Sequence, residues 1–217
     1  MKVWDLPLRL CHWSLMLCVI GSFASGKAEN WSIHERFGMT IMALVIFRII
    51  WGFIGSETAR FRNFLAGPKA FIETAKQMWQ RKSVLKAGHS PVGGYATLAL
   101  LFIPLMMAVT GSISTDDILY DGPFYHLASQ WSNSAGRIHH FGEKLVMLIV
   151  VLHLGALAFY WFALRKNLIT AMVTGRQSAL KGKDITLSKA RSYAGLCLMG
   201  FLIILAQWAI ELRPDYF

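Results

Sequence analysis

Residues 136–162, GRIHHFGEKLVMLIVVLHLGALAFYWF, are long and apolar enough to cross a bilayer, yet they carry His139, His140 and His153. About 20 residues of helix span the roughly 30 Å of hydrocarbon in a membrane. An open strand there would leave its backbone groups unpaired, so helix is the form to expect. The apolar run containing these histidines is placed at about 137–163, and four others match it, at about 10–26, 36–54, 92–112 and 192–211. Of the 217 residues 55% are hydrophobic and 16% charged, and the charges gather between the apolar runs instead of scattering as on a soluble surface. The sequence predicts an all-α integral membrane protein.

The net charge of +10 would suit nucleic acid if it lay on one folded face, but its distribution excludes that class. With the N-terminus placed inside, Lys2 and Arg9 precede the first span, seven Lys or Arg fall in the loop 55–91 and seven between 164 and 191. Outside are Lys27, Arg36, Arg137 and Arg213, while Arg48 and Lys144 fall in spans. This bias is the positive-inside pattern, so the expected topology is N-terminus in, C-terminus out. Attraction to anionic lipid is a secondary consequence. The outer side holds Glu29, Glu35, Asp116, Asp117, Asp121, Glu211 and Asp215 against those four bases, a mildly acidic face. A cleaved leader is disfavoured, because HWS breaks the first apolar run and no A-x-A site follows it.

Cys11, Cys18 and Cys197 fall in spans as small buried groups, and no C-x-x-C-H occurs, which excludes covalently attached c-type haem. In the inner loop, PKAFIETAKQMWQRK sets Phe71, Ile72, Ala75, Met78 and Trp79 at helical spacing opposite Lys76, Gln77, Gln80 and Arg81. That pattern predicts an amphipathic helix, lying on the inner membrane surface or packed on the ends of the spans. The segment 166–182 is a weaker case of the same kind, interrupted by Gly175 and Gly182.

A polar side chain inside a span is costly and normally faces the protein interior with a partner. At 100° per residue, His139 and His153 lie about 40° short of four full turns and so share a face, about 21 Å apart along the axis. His140 lies about 140° from His153 and looks elsewhere. Span IV runs from outside to inside, so depth pairs His34, just before span II, with His139. It pairs His12, at the opening of span I, with His153. Zinc would want four ligands at each level, whereas haem brings four equatorial nitrogens and asks only for axial ones. Two bis-histidine b haems are the economical reading. Gly21, Gly38, Gly142 and Gly155 would give a flat macrocycle room, and Arg9, Arg36 and Arg137, two or three residues from proposed ligands, could pair with propionates. His89 in GHSPVGG is read as a helix cap or a propionate contact, and His126 as solvated.

VWDLPLRLCHW (3–13), IHERFG (33–38), FRIIWGFIGSETARF (47–61), GHSPVGG (88–94) and LHLGALAFY (152–160) resemble the bacterial cytochrome b561 and nickel-hydrogenase b-type cytochrome family. The resemblance implies a four-helix di-haem transmembrane bundle with ligands from spans I, II and IV, at the positions of His12, His34, His139 and His153. It divides the chain into a di-haem cytochrome b membrane domain, 1–175, and a basic inner loop with an additional C-terminal transmembrane helix, 176–217. It also implies electron transfer between a periplasmic redox partner and the quinone pool. For that partner the acidic outer face favours a lysine-rich c-type cytochrome. Two competing functions are a superoxide:quinone oxidoreductase, which would need a basic funnel built from Lys27, Arg36 and Arg137, and the membrane anchor of a hydrogenase-like complex. The sequence leaves quinone pocket, electron direction and homo-oligomerisation open.

Overall fold

A computed structural model describes residues 1–81, 88–115, 120–177, 184 and 188–212. Among them the chain is all-helical: α1 (Leu6–Lys27), α2 (Trp31–Ile54), α3 (Phe61–Phe64), α4 (Pro68–Trp79), α5 (Pro91–Ile113), α6 (Ser132–Phe162), α7 (Leu168–Thr174) and α8 (Lys189–Glu211), with two 3-10 turns before α6. No strand occurs among the described residues, only two isolated bridges. Helices α1, α2, α5, α6 and α8 are each long and apolar enough to cross a membrane. Among the described residues these five are the candidate spans of a membrane protein.

The spans begin earlier than their apolar cores. Asp5 Oδ1 accepts from Leu8 N at 2.8 Å and starts α1, with Pro7 in the first turn, where a missing N–H costs nothing. Asn30 Oδ1 accepts from Ile33 N at 3.2 Å ahead of α2, Ser90 Oγ from Gly93 N at 3.2 Å ahead of α5, and Ser188 Oγ from Arg191 N at 3.3 Å ahead of α8. The cap of α5 is therefore Ser90, and His89 is not the capping residue. Helix α6, with 31 residues, is about 46 Å long and outreaches the hydrocarbon at both ends. His34 consequently lies in the first turn of α2, inside the helix instead of just before it, and His12 stands almost two turns into α1.

Two compact units divide the residues. The first comprises Met1–Leu10, Arg48–Leu100 and Ile149–Leu196. Its polar centre is Asp5, buried, whose carboxylate accepts from Trp51 Nε1 at 3.2 Å and from Ser56 Oγ at 2.5 Å as well as from Leu8 N. Gly195 lies against Trp51 and Pro7, where a Cβ would come within 2.6 Å of the indole. Arg48, also buried, stacks on Phe61 at 5.0 Å. Val3 N and Trp4 N donate to the carbonyl of Gly175 at 2.7 and 3.1 Å, and Gly175 ends α7 with φ +78, a conformation glycine adopts freely. The chain start is thus tied to residues 175–177.

The surface helix expected in the inner loop is α4. Its Phe71 packs edge-on to Tyr95 at 5.3 Å, and Met78 Sδ accepts from Tyr160 Oη at 3.5 Å. Ile72 and Trp79, grouped with them by spacing, instead stay 64% and 89% exposed on an adjoining strip. In 166–182 only the seven residues of α7 are helical before Gly175, and 178–183 lie outside the described residues.

The second unit comprises Cys11–Phe47, Leu101–Leu148 and Cys197–Phe217. Leu44, Val45 and Phe47 of α2 are fully buried in it. Gly21 admits the Phe37 ring and Gly142 admits Met107, since a Cβ would come within 2.4 and 2.2 Å of them. Every described Lys or Arg assigned above to the inner side belongs to the first unit, and Lys27, Arg36 and Arg137 belong to the second. Lys82, Lys86, Asp116, Asp117, Lys181, Lys183, Arg213 and Asp215 lie outside the described residues. Large apolar side chains stand outward along the spans, among them Leu17, Phe53, Phe102, Leu152 and Ile204, each above 60% exposed. On a soluble protein such a surface would be an association site; here it is the face for hydrocarbon.

Candidate functional site

In α6 the less exposed positions run Ala135, His139, Gly142, Val146, Ile149, His153, Leu157 and Tyr160, a stripe three or four residues apart that faces the protein. His139 and His153 are both on it, and His140 is exposed beside it. Residues 132–137 form the first turns of α6, so His139 stands within the helix and not at its end.

His139 meets His34 within the second unit. Their ring centroids are 6.0 Å apart and the planes cross at 86°. Each ring is held the same way from behind. His34 Nδ1 lies 2.7 Å from the carbonyl of Ser22 in α1, and His139 Nδ1 lies 2.9 Å from the carbonyl of Met107 in α5. A carbonyl only accepts, so both Nδ1 atoms carry the proton and both Nε2 atoms are left as lone-pair donors, the tautomer a metal-binding imidazole needs. Four residues beyond each carbonyl is a glycine. A Cβ at Gly26 would come within 3.0 Å of His34 Nδ1, and one at Gly111 within 2.7 Å of His139 Cε1. Two neighbouring helices thus offer the same device, a carbonyl at position i and no side chain at i+4, to seat a histidine ring.

The pair suits an axial role. Imidazole nitrogen sits about 2 Å from its metal, so with about 1 Å more to each ring centroid, two rings on one iron have centroids roughly 6 Å apart, the spacing seen. Among the described residues no group of three or more His, Cys, Asp or Glu could hold a bare ion. A cofactor that brings its own equatorial ligands is what two histidines can serve. A Cβ at Gly38 or Gly155 would meet no atom within 4 Å; Gly38 is half-buried, whereas Gly155 is exposed, so the space beside it is the outer surface.

Ion pairs flank this site. Lys27 Nζ is 2.7 Å from Glu143 Oε1, one turn from His139. Arg36 Nη2 is 2.9 Å from Glu211 Oε1, two residues from His34. Arg137 is exposed and donates to Ser134 Oγ at 3.3 Å. Arg9 donates from Nε to the Met172 carbonyl at 3.2 Å and from Nη2 to that of Val173, at the C-terminal end of α7, where a cation is favoured. Toward a propionate, Arg9 and Arg36 would have to release these contacts. His12 in α1 stacks edge-on to Trp13 at 5.3 Å, and the neighbouring Cys11 Sγ donates to the Leu44 carbonyl at 3.5 Å. His153 is half-buried on the α6 stripe. His89 lies between the rings of Trp4 and Phe64, at 4.8 and 4.6 Å, and His126 is exposed in the first 3-10 turn.

The family model described as prokaryotic cytochrome b561 matches residues 3–175, which include all four histidines. The chain belongs to the prokaryotic cytochrome b561 family. As a member it is a membrane b-type cytochrome, an electron-transport protein whose cofactor is haem b. Its relatives include the probable Ni/Fe-hydrogenase B-type cytochrome subunit of Bradyrhizobium diazoefficiens, 20% identical over 81% of this chain and 85% of that one. The corresponding Azotobacter chroococcum protein is 26% identical, covering 80% and 86%. The probable Ni/Fe-hydrogenase 1 B-type cytochrome subunit of Escherichia coli is 24% identical, covering 83% and 92%. No solved structure matches the chain. Sequence reading missed the supports of this b-type cytochrome's site, Ser22 with Gly26 and Met107 with Gly111. The only trace they leave is a glycine near a helix end, Gly26 one residue before the end of α1 and Gly111 two before the end of α5.

Proposed function

We propose that the chain is the membrane subunit that passes electrons from a redox partner on the outer side to the quinone pool of the bacterial inner membrane, N-terminus inside and C-terminus outside. His34 and His139 hold an outer haem, and His12 and His153 an inner one. The observation that carries this is the His34–His139 pair, 6.0 Å between centroids with both Nδ1 atoms on backbone carbonyls. For the inner pair the support is the shared face of His139 and His153 on α6 and the family match over residues 3–175, which includes His12 and His153. Residues 1–175 form the di-haem domain, with α8 an addition to it.

Haem b, when bound, supplies one-electron chemistry between ferrous and ferric iron. The residues of the chain do the rest. The carbonyls of Ser22 and Met107 fix ring orientation and raise the basicity of each Nε2. The apolar faces of α1, α2, α5 and α6 keep water from the ligand rings, while Lys27, Glu143, Arg36 and Glu211 set the local field.

A hydrogenase-type partner, in place of the small c-type cytochrome inferred from surface charge, is supported by the names of the relatives. Surface charge favours the small cytochrome less than the sequence suggests, since Glu35 is buried. A superoxide-oxidising function finds little support, because two of the three bases available for a funnel are neutralised by carboxylates.

The test is a pyridine haemochrome and reduced-minus-oxidised spectrum of the purified protein beside His139→Ala and His140→Ala. Two b haems per chain, with one lost only in His139→Ala, is the expected result. Equal loss in both variants, or no haem in the parent protein, would overturn it. Pull-down from membranes that contain a hydrogenase then decides the partner.

A further inference from the structure

The family match ends at residue 175, yet α8, beyond it, grips the helix that carries His34. Gln207 Nε2 donates to the Arg36 carbonyl and to Thr40 Oγ1, each at 3.0 Å, and Thr40 Oγ1 donates to that same carbonyl at 2.8 Å. In the other direction the Arg36 guanidinium donates to Gln207 Oε1 at 3.4 Å and to Glu211 Oε1 at 2.9 Å. Both ends of one amide are used on α2, and a carboxylate one turn further on takes the charge. The first turn of α2 needs such a hold. Trp31, Ser32 and Ile33 are exposed, and His34 is the fourth residue of the helix. Helix ends fray unless something ties them down. On its other side His34 is held by the Ser22 carbonyl.

We propose that α8 is a positioning strut for the outer site: Gln207 fixes the first turns of α2, and hence the His34 ring, while Glu211 cancels the Arg36 charge beside it. The inference rests on His34 and His139 being the ligands. A guanidinium left unbalanced there favours the site's less positive, reduced form, so Glu211 holds the outer midpoint potential down and Arg36 holds it up. The pair is half-exposed at 51% and 63%, so it adds little to stability and can be broken without unfolding the protein.

The test is a potentiometric titration of the haem-loaded protein. Glu211→Gln is expected to raise the outer wave, Arg36→Gln to lower it, and the double variant to return it toward the parent value, with the inner wave unmoved throughout. Gln207→Leu is expected to broaden the low-spin ferric signal of the outer site, and Gln207→Glu to broaden it less. General damage cannot produce shifts of opposite sign that cancel. Singles that leave the outer wave in place, or shift it the same way, overturn the strut. His34→Ala, run alongside, identifies the outer wave by removing it. If both waves survive that change, the ligand assignment fails and takes this inference with it, whereas loss of one wave with unmoved singles sinks the strut alone.

Discussion

Gly111 illustrates how a residue with no side chain can belong to the proposed outer haem site. It lies on α5, which carries none of the proposed ligands, one turn beyond the carbonyl that holds His139. A methyl there would stand 2.7 Å from the ring, well inside the roughly 3.5 Å at which carbon atoms stop attracting each other. The ring must then move by close to an ångström, a large displacement against a metal bond of about 2 Å. Gly111→Val is therefore expected to halve the haem content, whereas Gly200→Val, where a Cβ meets nothing within 4 Å, should keep both haems; the pyridine haemochrome assay reads each. The crossing of the His34 and His139 planes at 86° carries its own expectation, a strongly anisotropic low-spin ferric signal in electron paramagnetic resonance, lost in His139→Ala. Away from the site, Asp5→Asn weakens an acceptor serving an indole, a hydroxyl and a backbone N–H. Hydrogen bonds to a charged group contribute about 1.5–3 kcal/mol each, so a fall in thermal stability with unchanged spectra is the expected outcome. At this scale the sequence was legible where chemistry has a side chain. The 14-residue spacing of His139 and His153 is visible in the letters; the carbonyls of Ser22 and Met107 are not. The glycines singled out by proximity to ligands include Gly21 and Gly142, which make room for Phe37 and Met107.

The elements were read from hydropathy, which sees the apolar middle of a span and not its ends. Each observed span starts earlier, by one residue at Pro91 and by four or five at Leu6, Trp31 and Ser132. Asp5, Asn30, Ser90 and Ser188 stand at those starts as capping residues, so that part of the difference was legible as capping chemistry. The one-face reading of α4 was not. Periodicity groups Phe71, Ile72, Met78 and Trp79, but Phe71 and Met78 meet Tyr95 and Tyr160 while Ile72 and Trp79 point away. Ile72 and Trp79 are seven residues apart and about 20° different in direction, next to Lys69 and Lys76 at the same interval. A helix that packs sideways and offers a flank of one indole and one aliphatic chain bordered by lysines fits the lipid–water boundary. The two alternatives for this segment are then two sides of one helix. Lipids brominated near the headgroup should quench the protein's tryptophan emission less in Trp79→Phe than in the parent protein. Equal quenching would place Trp79 in water.

For the whole molecule, the order of the spans assigns successive connections to the two units in turn, and the basic residues follow that alternation. The first unit holds the N-terminus and the connections 55–90 and 163–188; the second holds 28–30, 114–131 and the end of α8. Lys and Arg concentrate in the former, the bias of inner segments, which supports the N-in topology proposed above. Orientation matters to function because it decides which site meets an external partner. His34 is in the first turn of α2 and His139 in the third turn of α6, both in the second unit, so the proposed N-in topology would turn this pair outward. The expectation can be checked in intact cells with a membrane-impermeant maleimide, on a background with Cys11, Cys18 and Cys197 replaced by Ala. His126→Cys, exposed in the 3-10 turn before α6, should label directly. Lys76→Cys on α4 should label only after the membrane is opened. The reverse result would turn the His34–His139 site toward the cytoplasm, leave the haem ligands as they are, and require that the electron donor be sought inside the cell.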